Sequence, residues 1–188
     1  MGRGRGGAAA ATTRPGHNRY LWNFQWDAGV MAAPGRFTVE MTAGEVTQSR
    51  TFEVNVDPGV LANGITQADL VAQQDFLLEV RGTIDQARDL QNRVQQAMQK
   101  AGVPQPRPPG AGEWVGGMKH DHPLQGIWAR LVTAPGTYEQ GMLIDQLSNV
   151  VRAESGADQK VGADARKRFD DLVRELKALE SALARAAR

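Results

Sequence analysis

The sequence predicts an α+β protein, with a small antiparallel β-module followed by a three-helix antiparallel bundle. Before residue 60, apolar side chains recur at every second position, which is typical of half-buried strands. After Gly64 they recur at steps of three, four and seven, which is typical of amphipathic helices. The expected domains are a disordered Gly/Ala/Arg linker over 1–17, the β-module over 18–60 and the helical bundle over 65–188.

Three strands are predicted in the β-module. The first covers 18–27 and places four aromatic side chains on one face, namely Tyr20, Trp22, Phe24 and Trp26. The second and third cover 36–42 and 46–56, and the turn at 43–45 makes them a hairpin. An immunoglobulin-like sandwich needs about seven strands, so three strands are predicted to form at most part of one. The aromatic face then needs cover from a partner chain or from sequence outside this one.

Three long helices are predicted in the bundle. The first begins at Thr66-Gln-Ala-Asp69, which has the spacing of a capping box, and ends at Gly102 after about nine turns. The second runs from Tyr138 to about Ala153, and the third starts near Ala163. Between the first two, Pro and Gly residues predict an irregular loop over about 102–136.

Bulk composition excludes several classes of function. The 22 basic and 21 acidic residues give a net charge of +1, so there is no global field for nucleic acid or an anionic membrane. No cysteine is present, which excludes thiol catalysis and cysteine-ligated zinc. No apolar run approaches the roughly 18 residues of a membrane span, and no signal-peptide core is seen. We expect no membrane span and, if the chain is expressed as written, a cytoplasmic location.

Candidate chemistry is sparse. His120-Asp-His122 is the only cluster with metal-ligand character, and it lacks a third fixed ligand, so no metal site is predicted and both histidines are weak candidates. The acidic residues are predicted to lie on helix surfaces in ion pairs such as Arg166 with Asp170. No nucleophile elbow, phosphate-binding loop or dinucleotide fingerprint occurs. No catalytic residue and no cofactor are therefore predicted.

Two tryptophans are further interaction candidates. Trp114 and Trp128 lie in or beside the long loop, and an exposed tryptophan can stack on a sugar or fill a partner's pocket. The alternative is that they pin the loop to its own core.

Several sequence runs resemble a known family. Gly16-His-Asn-Arg-Tyr-Leu-Trp-Asn-Phe-Gln-Trp-Asp27 and Ala33-Pro-Gly-Arg-Phe-Thr-Val39 resemble the second half of an Ig-like module of flagellar hook-capping type. That module follows the β-propeller of secreted sortilin-like (BNR-repeat) bacterial proteins, which are often labelled glycosyl hydrolases. The resemblance continues to Met142-Leu-Ile-Asp-Gln-Leu-Ser-Asn149, while Asn23 and Phe37 replace the family's usual Asp and Tyr. It implies a C-terminal region of a periplasmic or extracellular parent, and it carries over no catalytic residue.

The resemblance implies a non-catalytic accessory or interaction module. Its expected partner is a protein, either the absent propeller or another chain. A homo-oligomer that forms through the exposed aromatic strand face is a further possibility that the sequence allows. The alternative is the tail of a glycosyl hydrolase-type enzyme whose catalytic propeller is absent. A weaker alternative is RNA binding through the Arg3-Gly-Arg5-Gly-Gly tail, although no nucleic-acid partner is expected.

Overall fold

The computed structural model describes residues 15–106, 121–133 and 141–186, and over these residues the fold is α+β. In chain order the elements are β1 Gly35–Ala43, β2 Val46–Val54, α1 Pro58–Ala62, α2 Gln67–Lys100, α3 Pro123–Leu131, α4 Leu143–Glu154 and α5 Ala163–Ala186. None of the helices in these described ranges is long and apolar enough to cross a membrane.

The described residues form two compact units. The first comprises 15–78 and 155–161, and the second comprises 79–106, 121–133, 141–154 and 162–186. The first unit therefore extends beyond residue 60, where the predicted β-module ends, and includes the N-terminal part of α2. Most of the predicted linker, 1–14, lies outside the described residues.

The predicted hairpin is confirmed. β1 and β2 pair in antiparallel fashion from Gly35 opposite Val54 to Ala43 opposite Val46. Gly44 makes the turn with a φ of 60°, a left-handed conformation that glycine adopts without steric cost. Alternate side chains point to opposite faces, and one face carries paired threonine hydroxyls, with Thr38 and Thr51 Oγ1 atoms 3.2 Å apart.

The strand predicted over 18–27 is wrong. Phe24 has a φ of 56°, and this left-handed backbone interrupts an extended run. The chain turns back instead, because the Trp26 N–H donates to the Val30 carbonyl at 2.8 Å and the Ala32 N–H donates to the Phe24 carbonyl at 2.7 Å. The described β-structure in named strands is therefore two-stranded.

The predicted first helix is confirmed as α2. The Thr66 N–H donates to Asp69 Oδ2 at 2.8 Å, and the Asp69 N–H donates back to Thr66 Oγ1 at 3.2 Å, so the predicted capping box forms. The bonds from Thr66 hold the pKa of Asp69 below its ordinary value, although burial opposes this, and Lys160 adds to the lowering. Just before α2, the short α1 was not predicted; the Asp57 carboxylate caps it by accepting the Gly59 N–H at 2.6 Å.

The second unit contains the C-terminal part of α2 together with α3, α4 and α5, so the predicted three-helix bundle is not confirmed. The predicted irregular loop over 102–136 is wrong where α3 forms, since Pro123 occupies the first turn of that helix and does not break it. The helix predicted from Tyr138 to about Ala153 is confirmed over Leu143–Glu154 as α4, with its predicted first residues, 138–140, outside the described residues. The helix predicted from about Ala163 is confirmed as α5. Fully buried core side chains come from all four helices: Ile84, Leu90, Met98, Leu131, Leu143, Leu147, Phe169, Leu172 and Leu179.

One predicted ion pair is replaced by another. Arg166 of α5 forms an ion pair with Glu79 of α2, in which Nη1 lies 2.6 Å from Oε2. The sequence spacing predicts Asp170 as the partner of Arg166 instead. A carboxylate on a neighbouring helix is equally accessible to a long arginine side chain, and sequence spacing does not reveal it.

Candidate interaction site

The hairpin has one apolar side, here called the hairpin face and formed by Phe37, Val39, Met41, Val46 and Phe52. The base of this face is covered by Trp22. The Trp22 ring centroid lies 5.1 Å from that of Phe37 and 6.2 Å from that of Phe52, and the two phenylalanine rings stack at 5.8 Å. The base of the hairpin thus carries its own small aromatic cluster.

The rest of the hairpin face is uncovered within the described structure. Val39, Met41 and Val46 are 50%, 61% and 61% exposed. Met41 is the next residue after Val39 on this face of β1, and Val46 of β2 lies diagonally from Met41. The face also carries two polar residues, Arg50 opposite Val39 and Gln48 opposite Met41, and the Arg50 guanidinium donates to the Ser49 carbonyl at 3.0 Å. An exposed apolar row beside one cation is a surface suited to contact with another protein.

A groove of about 650 Å³ lies in the same unit. Its lining includes the buried side chains of Leu70 and Leu77 from α2 and the exposed side chains of Phe24 and Met31. The segment 155–158 also contributes to the lining. Both apolar and polar groups therefore line an opening that solvent reaches.

Three glutamine side chains of α2 hold the surrounding segments in place. Gln74 Oε1 accepts the Trp26 Nε1–H at 2.9 Å and the Ala33 N–H at 2.7 Å. Gln73 Nε2 donates to the Ala157 carbonyl at 2.7 Å, and Gln67 Nε2 donates to the Pro34 carbonyl at 2.9 Å. The shape of the groove consequently depends on amide side chains from one helix.

The four predicted aromatic residues do not share one strand face. Trp22 packs on the hairpin, and its ring centroid lies 4.7 Å from that of Phe24. Trp26 is bonded to Gln74, while Tyr20 is 47% exposed. The prediction that these rings need an opposing sheet as a set is therefore wrong, because Trp22 and Trp26 already have partners in the first unit.

His122 caps α3. Its Nδ1 accepts the Leu124 N–H at 3.2 Å, and Gln125 Oε1 accepts the His122 N–H at 3.2 Å, which completes a capping box. Across 15–106, 121–133 and 141–186, no group of three or more His, Asp or Glu side chains is placed to hold a metal ion. The other weak metal candidate, His120, lies outside the described residues.

Trp128 is a core residue of the second unit. It lies in α3 and is 7% exposed. The structure therefore supports the interpretation in which the indole pins its own segment to the core, and not the one in which it is an exposed anchor for a partner. Trp114, the other tryptophan candidate, lies outside the described residues.

The glutamines beside the groove were not predicted as site residues. Gln73 lies three residues after Leu70 and four before Leu77, and both leucines are buried. A polar residue at such a position on an apolar helix stripe is a sequence feature that indicates a buried hydrogen bond. Asn55 and Asp158 carry no comparable pattern, because a groove between loops has no sequence period.

Protein-family models, curated proteins and solved structures were compared with this chain, and none of them matches it.

Proposed function

We propose that this chain is a non-catalytic interaction module that binds a partner protein through the hairpin face. The supporting observation is the exposure of Val39, Met41 and Val46 on that one face. A two-stranded hairpin by itself is marginal in water and needs a further layer over its apolar side. Trp22 supplies that layer at the base, and the partner supplies it over the remainder.

Covering these side chains contributes part of the free energy of binding, because the cost of association must also be offset. Full burial of a valine or methionine side chain contributes about 1.5–3 kcal/mol, and these three are about half exposed, so their cover contributes roughly 3–5 kcal/mol. Arg50 adds a preference for a partner that presents a carboxylate beside its apolar row, since charge complementarity across an interface favours the matching partner.

The resemblance to secreted sortilin-like proteins supports one partner in particular. We propose the β-propeller of such a parent protein as the surface that covers the hairpin face, which also makes a periplasmic or extracellular location part of the proposal. A second copy of this chain is the other source of a matching surface.

Site-specific photo-crosslinking tests the proposed surface. A benzophenone amino acid is placed at position 41, on the hairpin face, in cells of the source organism. It is compared with the same group at position 42, on the opposite face of the hairpin, which carries the paired threonines and is here called the threonine face. We expect one defined cross-linked product at position 41, identified by mass spectrometry, that is lost when Val39→Lys is added and kept when Thr38→Lys is added. Equal cross-linking at 41 and 42 would show that the hairpin face is not an interface.

A further inference from the structure

We propose that the groove of the first unit is a second binding site, which takes an extended peptide segment carrying a basic side chain. The groove is lined by residues other than Val39, Met41 and Val46, so this site is separate from the exposed part of the hairpin face. Its volume of about 650 Å³ lies within the range of about 300–1,000 Å³ that is usual for ligand sites.

The form of the groove favours an extended chain over an enclosed small molecule. Phe24 and Met31 are 39% and 57% exposed, so the opening is wide, whereas Leu70 and Leu77 provide a buried apolar floor. An extended peptide presents side chains alternately to the floor and to solvent, which matches this combination.

Polar lining groups can bind a peptide backbone. Asn55 lines the groove with an exposed side-chain amide, which carries both a donor and an acceptor for main-chain groups. Ser155 adds a hydroxyl at the lining. A bound peptide must replace the water bonded to each of its buried N–H and C=O groups, and these side chains can do so.

Charge determines which peptides fit. Asp57 and Asp158 line the groove, and no Lys, Arg or His is among its lining residues. The Asp57 carboxylate accepts the Gly59 N–H through Oδ1, and as an anion with two oxygens it retains further acceptor capacity. A lysine or arginine side chain is therefore attracted to the lining, and a carboxylate is repelled.

The backbone at Phe24 supports a binding role. A left-handed backbone costs a residue other than glycine roughly 1–2 kcal/mol, and Phe24 adopts it at a φ of 56°. Sparsely populated backbone conformations concentrate at ligand sites. Here the strained residue is one of those that line the groove.

Three fluorescein-labelled hexapeptide pools test the proposal with the full chain. Each pool is random at five positions and fixed at one as Arg, Ala or Glu, and binding is followed by fluorescence anisotropy. We expect the Arg pool to bind about two- to five-fold more tightly than the Ala pool, as for a partly exposed ion pair, with the Glu pool weakest. The Arg preference should fall in 0.5 M salt, where such pairs are screened.

Variants locate the binding site. Asp158→Asn should reduce the two- to five-fold Arg preference, since Asp57 remains, and leave the Ala pool unchanged, whereas Asn55→Ala should weaken all pools. Glu40→Gln on the threonine face is the matched control and should change nothing. Val46→Lys should also leave peptide affinity unchanged, so failure of the proposed hairpin interface and failure of this site are distinguishable. Absence of binding at 1 mM protein, equal affinity for the Arg and Glu pools, or equal effects of Glu40→Gln and Asp158→Asn would overturn the proposal.

Discussion

Replacing Gln74 by leucine is expected to release the segment around 24–33 from α2. One carbonyl oxygen, Gln74 Oε1, accepts both the Trp26 indole N–H and the Ala33 backbone N–H. Leucine has a similar size and a similar helix propensity, so the substitution removes the acceptor while α2 itself is retained. Both donors are part-buried and lose their protein partner together.

The expected effect follows from the two lost bonds. Each intramolecular hydrogen bond contributes about 0.5–1.5 kcal/mol net, so the local opening free energy should fall by about 1–3 kcal/mol. At about 1.4 kcal/mol per factor of ten, this corresponds to roughly 5- to 150-fold faster hydrogen exchange of the Ala33 amide. The Trp26 indole N–H resonance should also shift toward the position of a solvated indole.

Nuclear magnetic resonance measures both quantities at single residues. Gln74→Glu keeps an acceptor oxygen and should recover most of the protection, and Gln86→Leu, at an exposed position of the same helix, should leave Ala33 unaffected. If Gln74→Leu accelerates exchange of the Ala33 amide by no more than Gln86→Leu does, then Gln74 does not hold this segment.

Four further predictions concern caps and turns. Thr66→Ala should cost about 1 kcal/mol in the first turn of α2, seen as roughly fivefold faster exchange of its amides. The pKa of Asp69 is lowered in the folded state, so the Asp69 carboxylate stabilises the fold above the ordinary pKa of 3.8, and this contribution is lost as the pH falls through the folded pKa. The difference in urea midpoint between wild type and Asp69→Asn should therefore shrink on acidification. His122→Ala should lower the free energy of unfolding of the second unit by about 1 kcal/mol, measured by thermal denaturation. His122→Asn keeps a capping acceptor and should restore that free energy. Gly44→Ala should destabilise the hairpin by about 1 kcal/mol, measured by amide exchange at Met41.

The sequence was most informative where one local rule determined the outcome. The capping box at Thr66 and Asp69 placed the start of α2, and the alternation on both sides of Gly44 placed the hairpin. In each case neighbouring residues contain both the donor and the acceptor, or both strands, so little distant information is needed.

The aromatic run before the hairpin shows where alternation fails. An alternating pattern indicates that every second side chain is packed in a similar environment. Such packing does not require the backbone to form a β-strand. Trp22 contacts the hairpin while Trp26 bonds to α2, and the left-handed Phe24 between them lets the chain reach both. These contacts join residues up to 48 positions apart, which a local pattern does not contain.

Helix α3 was missed for a different reason. The Pro and Gly residues of 102–136 predict a loop, although Pro123 is favourable in the first turn of a helix. Four apolar residues at helical spacing follow it and are all buried: Leu124, Ile127, Trp128 and Leu131. This stripe by itself predicts a helix and places Trp128 in the core.

The capping box at the start of α2 also sets the rotational phase of that helix. Each residue rotates an α-helix by about 100°. Deletion or insertion of one residue between Thr66 and Gln74 would therefore move the glutamine side chains to a different side of the helix. Gln73 and Gln74 would then face away from Ala157 and Ala33, even with every amino acid of the groove unchanged. In related chains, this stretch should therefore be conserved in length more strictly than in composition.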